Sequence, residues 1–150
     1  MEKNIPNYPQ FTMPMRGIIL IAGMYTVAWG AFFKWFGPAL WNWFSFGQST
    51  IPRDTNVFGS FGLIVGIVLF LSAFYPINWR WLLLAGIIGK VLLALWFGIF
   101  YLDILGWNKR TGFHLIFNEL IWLPPLTYIF MRSLKVTEYL KSIEITKTQK

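Results

Sequence analysis

Two residues in this 150-residue chain stand where their chemistry is expensive. Lys90 lies near the middle of the apolar run GIIGKVLLALWFG (86–98), and Glu119 lies inside HLIFNELIWLPPL (114–126). A lone ammonium at the centre of a bilayer costs roughly 2.5–3.5 kcal/mol on insertion scales, so a partner is expected. Lys90 sits about 16 Å from the inner end of its run, and Glu119 about 21 Å from the same side, at 1.5 Å per residue across a 30 Å core. The gap of about 5 Å is within reach of two long side chains. Two uses follow from such a pair. One is chemical: a proton relay, an ion path or a headgroup site. The other is structural: an ion pair that fixes helix register.

His114 and Asn118 are spaced i, i+4 and so share a helix face just before Glu119. With Tyr101, Asp103, Asn108, Lys109 and Arg110 they are candidates to line an outward-facing polar pocket. The alternative is decoration of an interfacial helix start. Lys90, Glu119, Asn118 and His114 are therefore the candidate intramembrane polar site. Pro124 and Pro125 remove two backbone donors just beyond it, which predicts a kink there.

The elements that must hold these residues follow from hydropathy. Hydrophobic residues make up 56% of the chain and charged residues 13%, against about 25% charged in soluble domains. Mean hydropathy is +0.53. A bilayer is the solvent such a composition fits. Four apolar stretches approach the roughly 20 residues needed to span it: 17–36, 58–75, 79–102 and 113–131. The expected fold is a single all-α membrane domain, a bundle of four transmembrane helices. The short turn Tyr75–Asn78, with Pro76, makes the second and third antiparallel neighbours. The loop GPALWNWFSFGQSTIPRDTN reads as an aromatic interfacial segment whose short helix starts at Pro38. In the tail 132–150, Val136, Tyr139, Leu140 and Ile143 recur on one helix face, which predicts a cationic amphipathic helix on the membrane surface. The final TKTQK is expected to be disordered.

Close helix packing in lipid relies on small residues. Gly62 and Gly66 form a GxxxG, Gly86 and Gly89 recur in the third stretch, and Gly23 and Gly30 in the first. The basic residues set the orientation. Lys3, Arg16, Arg80, Arg132, Lys135, Lys141, Lys147 and Lys150 fall on one side, and Lys34, Arg53, Lys109 and Arg110 on the other. Eight against four predicts both termini in the cytoplasm, in a membrane of the bacterial inner-membrane type. Residues 1–16 carry no cleavage pattern, so the first stretch is expected to be retained. The net charge of +7 follows this distribution, and nucleic acid is not an expected partner. Lys34 and Arg16 read as anchors at the two ends of the first stretch.

Several chemistries are excluded within the chain. It has no cysteine, so disulfides, thiol chemistry and cysteine-ligated metals are ruled out. With one histidine, neither bis-histidine haem ligation nor a multi-histidine metal site is available. Walker A, GxGxxG, GxSxG and HExxH patterns are absent. No catalytic or metal residues are assigned, and the sequence names no cofactor.

The first stretch, RGIILIAGMYTVAWGAFFKWFG, opens on an arginine and carries glycines, Gly30 and then Lys34. In this it resembles the opening helix of DoxX-like small membrane proteins, which have four helices and about this length. The likeness covers about 20 residues and departs from the family's pattern in the spacing of Gly30 to Lys34. It implies redox-linked accessory work beside quinone-dependent oxidoreductases, with Arg16 and Lys34 the residues carried over. Three functions thus follow from the sequence. The first is a non-enzymatic accessory or structural subunit of a membrane complex, with other membrane subunits or further copies of itself as partners. The second is a small carrier or channel for a proton, ion or amphiphile, and the third is the redox-linked subunit.

Overall fold

A computed structural model describes residues 9–48 and 53–148. It is helical throughout, with no strand among the described residues. Helix α1 (Met13–Trp35) is followed by the short α2 (Gly37–Phe44), then α3 (Asn56–Ser72) and α4 (Arg80–Trp96). The chain then tightens and loosens in turn. A π-helical segment (Phe97–Tyr101) runs into α5 (Leu102–Leu105). After Gly106, α6 (Lys109–Phe113) leads into a second π-helical segment (His114–Glu119), a 3₁₀ turn (Leu120–Trp122) and the long α7 (Leu123–Thr148).

Two helical stretches are long and apolar enough to cross a membrane by length and composition, Met13–Trp35 and Arg80–Leu105; Asn56–Ser72 is apolar but shorter. The stretch expected as one helix over 113–131 is instead π-helix, 3₁₀ turn and the start of α7. The prolines explain where the irregularity falls. Pro124 and Pro125 occupy the first turn of α7, where a missing N–H has no intrahelical acceptor to lose. The irregular winding therefore lies upstream of the prolines, in residues 114–122, and regular α-helix starts at Leu123.

The tail also differs from its expectation. It is not a separate surface helix but the continuation of α7, and Thr146, within the segment expected to be disordered, donates to the Ser142 carbonyl at 2.9 Å. Nothing breaks the run: from Met131 to Thr148 there is no glycine or proline. Gln149 and Lys150 lie outside the described residues.

Glycine places the first three long helices. A Cβ at Gly23 would come within 2.6 Å of the Phe70 amide nitrogen, and one at Gly62 within 3.1 Å of the Gly30 Cα. One at Gly66 would come within 2.9 Å of the Gly23 carbonyl. Backbone thus meets backbone along the whole α1–α3 contact, a spacing that larger residues forbid. Gly86 and Gly89 have a different use. Each makes room on α4 for one side chain of α3, Leu69 and Val65 respectively. The core between them is aliphatic at one end, with Ile19, Leu69, Leu83 and Leu126. It is aromatic at the other, with Phe33, Phe44, Phe58 and Phe97.

Candidate functional site: a buried lysine–glutamate joint

Lys90 emerges from the third turn of α4, between Gly89 and Val91, on the face that packs into the bundle. Its side chain is 0% exposed, and its Nζ lies 2.7 Å from Glu119 Oε2. The same ammonium donates to the Asn118 main-chain carbonyl at 2.6 Å. Glu119 is 2% exposed. Its other oxygen, Oε1, accepts from Asn118 Nδ2 at 3.1 Å and lies 3.9 Å from His114 Nε2. The two charged residues singled out by their apolar surroundings are thus in direct contact.

The π-helical segment makes this arrangement geometrically feasible. In an α-helix, residues i and i+5 lie about 140° apart around the axis. A π turn closes i to i+5, so His114 and Glu119 come to the same side. Asn118, at i+4, stays beside them. The result is that three consecutive polar groups, His114, Asn118 and Glu119, all point into the bundle, and all are buried. Straight α-helix would have turned one of them to the outside.

The carboxylate also fixes its neighbours' orientation. An ionised Glu119 only accepts, so the Asn118 amide must present its NH₂ to it. The same Nδ2 lies 3.1 Å from His114 Nδ1 and 3.5 Å from Nε2, and the shorter contact makes Nδ1 the acceptor. That assigns the ring proton to Nε2, the nitrogen facing Glu119. Two buried polar atoms close to the joint, Asn118 Oδ1 and Trp122 Nε1, have no hydrogen-bond partner.

Aromatic rings close the histidine end. The imidazole has Phe97 at 4.4 Å, Trp29 at 4.9 Å, Phe33 at 5.1 Å and Phe44 at 5.5 Å, centroid to centroid. This cage is the part that sequence reasoning missed. Its members come from α1, α2 and the first π-helical segment, and no spacing within one element links them. One signal was present: Leu93, Phe97 and Tyr101, all buried, repeat every fourth residue, a drift from the α-helical period that suits a wider turn.

The candidates for an outward-facing polar pocket are not brought together. His114 and Asn118 are buried behind the cage, while Asp103 and Lys109 are exposed. Asn108 serves instead as the N-cap of α6, in a reciprocal capping box with Thr111, and ties that helix to α2 by donating to the Phe44 carbonyl at 3.0 Å. Arg110 also works on α2. It donates to the Trp43 carbonyl and stacks on Phe46, 3.9 Å from the ring centroid. Phe46 has a positive φ of 54°, and this stacking holds the turn that α2 makes into Gly47. Tyr101 donates to the Asp54 carbonyl at 3.1 Å. It closes the interhelical loop and does not face the ion pair.

Lys34 does not simply reach for an interface: its Nζ donates to Ser60 Oγ on α3 at 2.7 Å. Arg16 is exposed, eighteen residues away on the same helix, or about 27 Å along it. The two residues carried over by the DoxX-like resemblance are thus not brought into one site. Among the described residues no group of three or more His, Asp or Glu side chains is placed to hold a metal ion. No family model, curated protein or solved structure matches the chain.

Proposed function

We propose that this is an integral membrane protein of four spans, with both termini cytoplasmic. In this reading it serves as a non-enzymatic accessory or structural subunit of a membrane complex, and Lys90–Glu119 is a structural joint. One observation carries this: the pair is closed. The ammonium is occupied by a carboxylate and a carbonyl, both charged side chains are buried, and rings cover the histidine side. A transport path needs a group that exchanges protons or ions with water, and a sealed pair suits register better. The large apolar side chains on the outer faces of α1, α3 and α4, among them Ile21, Ile64, Ile88 and Leu95, suit a lipid or protein environment.

Extraction in mild detergent followed by intact-complex mass spectrometry tests the reading. Stoichiometric protein partners are the expected result. A protein that runs alone or only with copies of itself would overturn the subunit assignment.

A second reading, the carrier or channel, has its own support. Asn118 Oδ1 is a buried acceptor with no donor, next to an imidazole and a carboxylate. That is an arrangement from which a proton relay can be built. On this reading Lys90→Met abolishes proton flux in proteoliposomes while insertion persists, and unchanged flux would sink it.

A further inference from the structure

Where α3 begins and the first π-helical segment ends, two surface grooves meet. One is lined by Arg53, Asp54 and Tyr101 together with Trp96 and Phe100. The other shares Trp96 and Phe100 and continues over Phe61, Leu95 and Ile99, where almost nothing polar is exposed. Together they form a single track, charged at one end and apolar along the rest. Leu92 to Ile99 covers about 10 Å of helix rise, or about two thirds of one bilayer leaflet.

The charged end is held in place by the fold. Tyr101 donates to the Asp54 carbonyl, and Thr55 donates to the Phe33 carbonyl at 2.8 Å, so residues 54 and 55 are fastened on two sides. Asp54 Oδ1 accepts from the Asn56 amide at 2.8 Å, which orients the carboxylate. Among the described residues no acidic side chain forms an ion pair with Arg53. The track is therefore lined at this end by a guanidinium and a carboxylate from consecutive residues, above an aliphatic and aromatic floor. The π turn contributes to this shape, because it takes Phe97 and Tyr101 into the core and leaves Ile99 and Phe100 outside.

We propose that this track binds one phospholipid with an amine headgroup, of the phosphatidylethanolamine type. Arg53 takes the phosphate in a charge-assisted contact, Asp54 takes the ammonium, and an acyl chain lies over Phe61, Leu95 and Ile99. Adjacent opposite charges fit a zwitterion better than an anionic headgroup, which Asp54 repels. This rests on the membrane-spanning reading, though not on the subunit role.

The test uses the full chain in nanodiscs of equal phosphatidylethanolamine and phosphatidylglycerol, released into mild detergent for native mass spectrometry. One retained lipid per chain is expected, with the ethanolamine lipid enriched about tenfold. Arg53→Ala lowers retention of both lipids about tenfold. Asp54→Asn keeps an oxygen for the Asn56 amide, and it removes the preference without removing the lipid. Both side chains are exposed, and unchanged circular-dichroism melting serves as the fold control. No stoichiometric lipid, a phosphatidylglycerol preference, or retention indifferent to both substitutions would overturn the site while leaving the membrane reading intact. A chain that does not enter nanodiscs would overturn both.

Discussion

Between α1 and α3 the chain sets glycine against backbone; between α4 and the π-helical segment His114–Glu119 it sets an ammonium against a carboxylate. Both contacts join two elements through buried groups. The glycine seam does it by removing side chains, so its strength is dispersion and close approach spread over several turns. The ionic joint concentrates the same task in one pair that also needs a distorted helix and an aromatic cover. A seam degrades by degrees as bulk is added, while a buried pair fails outright when one charge loses the other.

Glu119→Leu should be the most damaging single change, because it strands Lys90 in the core. A loss of about 3–5 kcal/mol is expected in reversible unfolding from detergent. If it costs less than about 1 kcal/mol, the joint is not what holds α4 to the irregular stretch. Gly66→Leu comes next. Its side chain would meet α1 backbone at the Gly23 carbonyl, and roughly 1–3 kcal/mol of destabilisation is expected from overpacking. Wild-type stability in that variant would mean that the seam opens freely.

Asn118→Ala removes the amide that links ring and carboxylate, for about 1–2 kcal/mol. His114 is the sole histidine, so one imidazole resonance pair reports the outcome by nitrogen NMR. The proton resides on Nε2 in the wild type, and the alanine variant loses that bias. A wild-type ring protonated on Nδ1 would refute the orientation of the amide. Arg110→Ala is the smallest of the four. Loss of its stacking on Phe46 and Trp43 costs about 0.5–1 kcal/mol and leaves the His114 resonances where they were.

The two contacts also differ in how far the sequence foretold them. Glycine spacing marked the seam directly, because close helix approach needs small residues at helical intervals and those intervals are local. Lys90 and Glu119 stood out for the same reason in reverse, as charges where charges are costly. Helix bending was harder to read. The proline pair drew attention to 124–125, yet the irregular winding lies in 114–122, since proline is tolerated in a first turn. The aromatic cage was not readable at all. Trp29, Phe33, Phe44 and Phe97 meet only through tertiary packing, and in a chain with 15 phenylalanines no one of them is conspicuous. Asn108 and Arg110 were seen as polar and outward, and their actual work, fastening α2 to α6, depends on a loop geometry that no periodicity encodes.

The claim that the pair is a structural joint is tested most directly by a double-mutant cycle on Lys90 and Glu119. Lys90→Met and Glu119→Leu are measured singly and together by unfolding in detergent. Removing both charges leaves no unpaired ion, so the double variant should recover more than half of the loss, the remainder being the Asn118 carbonyl and amide left without these partners. A double variant that unfolds as readily as Glu119→Leu alone would contradict the account.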